Sequence, residues 1–288
     1  MNGLKYSFGV RIVWFLLFTL VGLIIAMIAM GVILGNGVSS ATLRLSTVVQ
    51  DVTLFIFPAI AVAVIASSKP WSLLCVAEFP SATKWLIAFA AYLFFIPAMN
   101  AVVQWNESLS LPDSLAAVEQ WMRQAEEQAQ TQVEIMLGGK GLGNLIMNVL
   151  IVGVLAGLSE ELYFRGALQR LISSGRRMSP HVAIWLTAFL FSLFHMQFFG
   201  FVPRMLLGAL FGYTLYLTGS LWIPVAFHIF NNSAVVLSTW WGNGASGTSS
   251  IDRFGSDCWW MIVLSVILTA GSLLFLKYVT LYRKSVTG

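Results

Sequence analysis

Three short stretches hold the side chains that could do chemistry. In GLSEELYFRGALQR, Glu160 and Glu161 are adjacent and Arg165 follows Glu161 by four residues. In AFLFSLFHMQ, His195 follows Phe191 by four. In AFHIFNNS, His228 and Asn232 are four apart, with Asn231 between them in sequence. Helical spacing puts Glu161 with Arg165, Phe191 with His195, and His228 with Asn232 on common faces. Glu160 points about 100° away from Glu161, so its partner must come from another segment. Carboxylate, imidazole and amide groups in one apolar setting are the material of general acid–base catalysis, and also of proton relays.

Each stretch alone has a plainer reading. Glu161 and Arg165 could form a structural ion pair, His195 could satisfy a backbone carbonyl, and His228 with Asn232 could be polar glue between helices. What argues for function is their convergence, because an ionisable group inside a membrane span costs about 2.5–3.5 kcal/mol on insertion scales. Two of the chain's three histidines lie in such runs, whereas His181 sits near a loop and reads as interfacial.

The elements that must position these residues are membrane helices. The 288 residues are 58% hydrophobic and only 10% charged, with a mean hydropathy of +0.82, which excludes an ordinary soluble domain of about 25% charged residues. Eight apolar segments occupy roughly 10–34, 48–67, 84–104, 144–172, 181–199, 202–218, 221–242 and 258–280. They far exceed the roughly ten residues of a barrel strand, so they read as helices. The fold class expected is all-α: a polytopic membrane protein of about eight transmembrane helices with a polar catalytic cavity within the membrane. The first run, behind Lys5 and Arg11, is too long for a cleavable signal and reads as a span.

The net charge of +4 follows loop topology rather than a nucleic-acid partner, since lysine and arginine mark cytoplasmic loops. With both termini cytoplasmic, eleven of the sixteen basic residues fall inside, while Glu107, Asp113, Glu119, Glu126, Glu127 and Glu134 fall outside. Cys75 and Cys258 then lie on opposite sides, which argues against a disulfide. The polar stretch 106–140 reads as an extracytoplasmic surface helix that either lies on the bilayer interface through Leu115, Trp121 and Met122 or caps the cavity. Residues 243–257, rich in Gly and Ser, read as a flexible loop.

In order, EELYFR (EExxxR), FSLFH (FxxxH) and HIFNN (HxxxN) resemble the CPBP family of intramembrane peptidases, which includes the type II CAAX prenyl proteases and the bacterial Abi proteins. The resemblance covers about residues 141–242. It divides the chain into an N-terminal three-helix region with the surface helix (1–140), a CPBP-like catalytic core (141–242), and a C-terminal loop with the last transmembrane helix (243–288), all within one membrane domain. It implies that Glu160 and His195 activate the water that attacks a peptide carbonyl. It also implies that His228 and Asn232 stabilise the oxyanion, with Glu161, Arg165 and Phe191 supporting the site.

The same residue types could hold a divalent metal, zinc above all, with Glu160, His195 and His228 as ligands and water completing the shell. No HExxH helix is present, and metal-independent glutamate chemistry is the favoured expectation. The implied substrate is a peptide or membrane protein, prenylated or not, met in the lipid bilayer of a bacterial inner membrane. Rival readings are a non-catalytic scaffold or immunity partner and a proton-coupled transporter, although the paired half-repeats common in carriers are not visible.

Overall fold

The computed structural model describes residues 3–35, 37–242 and 253–287. The stretch 243–252, most of the loop read as flexible, lies outside the described residues. Among the described residues nine principal helices follow one another: α1 (Phe8–Gly35), α2 (Ser40–Ala66), α3 (Ala82–Glu107), α4 (Ala116–Leu137), α5 (Leu142–Ser173), α6 (Pro180–Phe194), α7 (Phe201–Thr218), α8 (Trp222–Trp241) and α9 (Trp259–Thr287). An isolated bridge between Leu4 and Ser67 is the sole β pairing among the described residues.

All eight apolar segments of the sequence are helical, and α4 is the surface helix. Among the described residues six helical stretches are long and apolar enough to cross a membrane: α1, α2, α3, α5, Phe198–Thr218 (α7 with its preceding turn) and the Trp259–Tyr282 part of α9. The segment expected at 181–199 differs most, because α6 stops at Phe194 and has only 15 residues. At Met196 the backbone turns left-handed, with φ of 53°, a conformation that ends a right-handed helix and is uncommon for a side chain of this kind.

The helices fall into two units. The first is built on α1, α2, α5 and α8. Two of its helices leave regular α geometry: α2 winds as π-helix over Asp51–Ile56, and α5 does so over Val149–Leu155 and Leu162–Gln169. Such π segments are rare and recur at functional sites. Aromatic packing joins the elements, with Tyr163 of α5 meeting Phe15 of α1 at 4.9 Å and Phe55 of α2 at 5.4 Å between ring centroids. Its hydroxyl lies 3.0 Å from Thr19 Oγ1, so the polar end of the ring is satisfied where water is absent.

The second unit comprises α3, most of α4 and α6, α7 and α9. Ile184 and Ala188 of α6 pack against Ala209 of α7. Pro97 inside α3 disturbs the helical hydrogen-bond ladder. A serine from α9 repairs it, since Ser265 Oγ accepts the Ala98 N–H at 3.2 Å and donates to the Phe94 carbonyl. In hydrocarbon a freed backbone group must find such a partner.

Candidate active site

Helices α5 and α8 of the first unit approach closely because glycine leaves room for them. A Cβ on Gly153 would lie 2.4 Å from Ser233 Oγ, and one on Gly157 would lie 3.0 Å from the Ile229 backbone nitrogen. Small residues four apart are the usual means by which membrane helices bring their backbones together. Gly157 stands one turn before Glu161, and Ile229 is the neighbour of His228. The close approach therefore delivers the histidine to the glutamates.

The polar core of this contact is buried. Glu161 and Arg165 are inaccessible to solvent and His228 nearly so. Glu161 Oε1 accepts from Arg165 Nη1 at 2.7 Å and from His228 Nδ1 at 2.8 Å. Since a carboxylate beside an arginine is an acceptor, Nδ1 of His228 carries the proton, which fixes the ring's orientation. The opposite nitrogen, Nε2, faces Glu160 Oε2 at 3.8 Å, beyond hydrogen-bond length but well inside electrostatic range. Glu160 is less deeply buried than Glu161.

Asn232, one turn after His228, donates from Nδ2 to the Val152 carbonyl at 3.1 Å. This tethers α8 to a π-helical stretch of α5.

His195 and Phe191 belong to the second unit. His195 stands immediately after the last residue of α6, in a turn rather than inside a helix. Its Nδ1 lies 2.9 Å from the Phe191 carbonyl, and the two rings meet edge to face at 4.9 Å. A carbonyl only accepts, so Nδ1 bears the hydrogen and Nε2 is the basic nitrogen of the neutral ring.

Sequence reasoning missed Asp51. It is fully buried on the π-helical turn of α2, which packs against Ala156–Glu161. It comes within side-chain hydrogen-bond reach of Ser159 and within the field of Glu160. The signal was present, because Asp51 is an acidic residue near the start of an apolar run. The spacing Gly153-x-x-x-Gly157 was likewise legible and marks the face of α5 that α8 meets.

Among the described residues no group of three His, Cys, Asp or Glu side chains is disposed to hold a metal ion. The zinc alternative therefore lacks a preformed ligand group among them. With Glu160, Glu161, Arg165 and His228 gathered in a buried cluster, the arrangement is that of a glutamate-type hydrolase.

Comparison with known proteins agrees. Residues 142–234 match the family model of the type II CAAX prenyl endopeptidase Rce1-like proteins. No curated protein and no solved structure matches the chain. The matched span contains all three motifs and every residue of the Glu160–Glu161–Arg165–His228 cluster. Over residues 142–234 the chain thus matches a CAAX-protease-like, Rce1-like family domain.

Proposed function

We propose that this protein is an intramembrane endopeptidase that hydrolyses peptide bonds of membrane-associated substrates, with Glu160 as the general base. The observation that carries the reading is the orientation of His228. Its Nδ1 is engaged by Glu161, so Nε2 is the nitrogen turned towards Glu160. A substrate carbonyl and a water brought between Glu160 and His228 would meet an acceptor on one side and a polar ring nitrogen on the other.

In the proposed reaction Glu160 takes a proton from water as the hydroxide adds to the scissile carbonyl carbon. The resulting oxyanion is stabilised by His228, with Asn232 beside it, and hydrogen-bond donors act strongly in such low-dielectric surroundings. For His228 to donate from Nε2 while Nδ1 remains bound to Glu161, the ring must carry both protons. Its charge is then matched by the flanking carboxylates. Collapse of the tetrahedral intermediate breaks the C–N bond, and Glu160 returns its proton to the leaving amine. His195 enters as the partner of Glu160 in water activation through its place in the motif order, and its Nε2 has the basic character this needs.

We further propose eight spans with both termini cytoplasmic, in a bacterial inner membrane, with a polar cavity that admits a peptide or membrane-protein substrate, lipidated or not. The test is cleavage of a membrane-tethered peptide library by purified protein in detergent. Wild-type cleavage that survives a strong chelator and disappears in Glu160→Gln is expected. Near-normal turnover by folded Glu160→Gln would remove Glu160 from the role of base. Loss on chelation with rescue by zinc would overturn the metal-independent mechanism.

A further inference from the structure

The turn that follows His195 is held by side chains from two other elements of its unit, and the proposed reaction has not used them. Asn106, at the end of α3, is almost completely buried. Both ends of its amide are engaged: Nδ2 donates to the Phe198 carbonyl at 3.1 Å, and Oδ1 accepts the Val202 N–H at 2.9 Å. One side chain thereby brackets the turn Phe198–Gly200 and the start of α7. From within α6, Ser192 Oγ donates to the Phe201 carbonyl at 2.6 Å.

The surface helix α4 closes on the same turn. Trp121 packs against Phe198 with ring centroids 5.2 Å apart, and the Arg123 guanidinium lies 4.5 Å from the centroid of Phe199. Glu126 Oε2 accepts the Phe199 N–H at 3.4 Å. Arg123 is itself held by Glu119 at 2.6 Å. The Leu111 N–H first, and Arg123 after it, keep the Glu119 carboxyl below the usual carboxylate range. Between these anchors and α6 stand His195 and Met196, the latter in the left-handed region. A non-glycine residue persists there when its surroundings over-determine the backbone.

We infer that Asn106, aided by Trp121 and Glu126 of α4, is a positioning residue for His195, forming a clamp that fixes the turn just after the residue that bears the imidazole. The inference rests on the peptidase reading for its catalytic consequence, but not for its structural one. A displacement of about 1 Å in a catalytic group can cost on the order of a hundredfold in rate, so loss of the clamp falls on turnover more than on substrate binding. It also frees the ring to leave the Phe191 carbonyl, which holds it as the Nδ1–H tautomer.

The chain has three histidines, so nitrogen-15 NMR of histidine-labelled protein in detergent can follow His195 once its signal is identified by its loss in His195→Gln. The wild type is expected to show His195 as the Nδ1–H tautomer. Asn106→Ala is expected to mix the tautomers and to lower kcat about tenfold to a hundredfold, with KM within about twofold. Trp121→Ala, on the exposed helix, tests the clamp without opening the core and is expected to act in the same direction more weakly. Unchanged tautomer and kcat in both folded variants would overturn the clamp. If wild-type protein cleaves nothing while Asn106→Ala still shifts the tautomer, the clamp stands and the peptidase reading falls.

Discussion

Glu161 has two duties, and they separate under mutation. It neutralises the buried Arg165 and it orients His228 through the same oxygen. Removing one partner of a buried ion pair leaves an uncompensated charge and costs about 3–5 kcal/mol. Glu161→Gln is therefore expected to lower abundance and thermal stability in detergent as well as cleavage. The paired replacement Glu161→Leu with Arg165→Met removes both charges and should recover much of the stability. It should not recover cleavage, because His228 has lost the acceptor for Nδ1. Full activity in the stable double variant would show that the Glu161–His228 bond is dispensable. The i, i+4 relation of Glu161 to Arg165 was legible in the sequence, since it depends only on helical period. The bond from Glu161 to His228 was not, because it depends on which face of α5 meets α8.

That meeting is decided at the scale of the element. Gly153 and Gly157 let α8 lie against α5, and a side chain at Gly157 would press on the backbone and side chain of Ile229. Gly157→Val is expected to push the two helices apart, costing about 1–3 kcal/mol as overpacking does, and to reduce cleavage by drawing His228 from Glu161. Gly271→Val in α9 is the control, because nothing lies within 4 Å of the Cβ it would add. Thermal unfolding and cleavage measured on both variants decide the matter: equal effects would mean that helix propensity, not the close contact, sets the outcome. The π-helical turns belong to this scale too. They rotate the faces that follow them, so a strict 3.6-residue projection loses its register across Asp51–Ile56 and Val149–Leu155.

At the scale of the whole molecule the chain is a multi-pass membrane protein whose orientation is testable with its two cysteines. Cys75 is buried, and burial pushes its thiol up, so it should be inert. Cys258, partly exposed just ahead of α9, is then the reporter. An impermeant maleimide added to intact cells is expected to label it, as the arrangement with both termini cytoplasmic requires. Labelling only after permeabilisation would reverse or recount the spans.

The sequence by itself determined the membrane environment and the helical class, because hydropathy and helix length are properties of contiguous residues and the bilayer allows few alternatives. It also determined the order of the three motifs and the Glu161–Arg165 pairing, which is local. Tertiary structure alone decided that Glu161 rather than Glu160 holds His228, that Asp51 joins the glutamates, and that Asn106 holds the turn after His195. Each of these is a meeting of residues far apart in the chain. Such meetings follow from how glycine faces, π turns and capping side chains set one helix against another, and no spacing along the sequence encodes that directly.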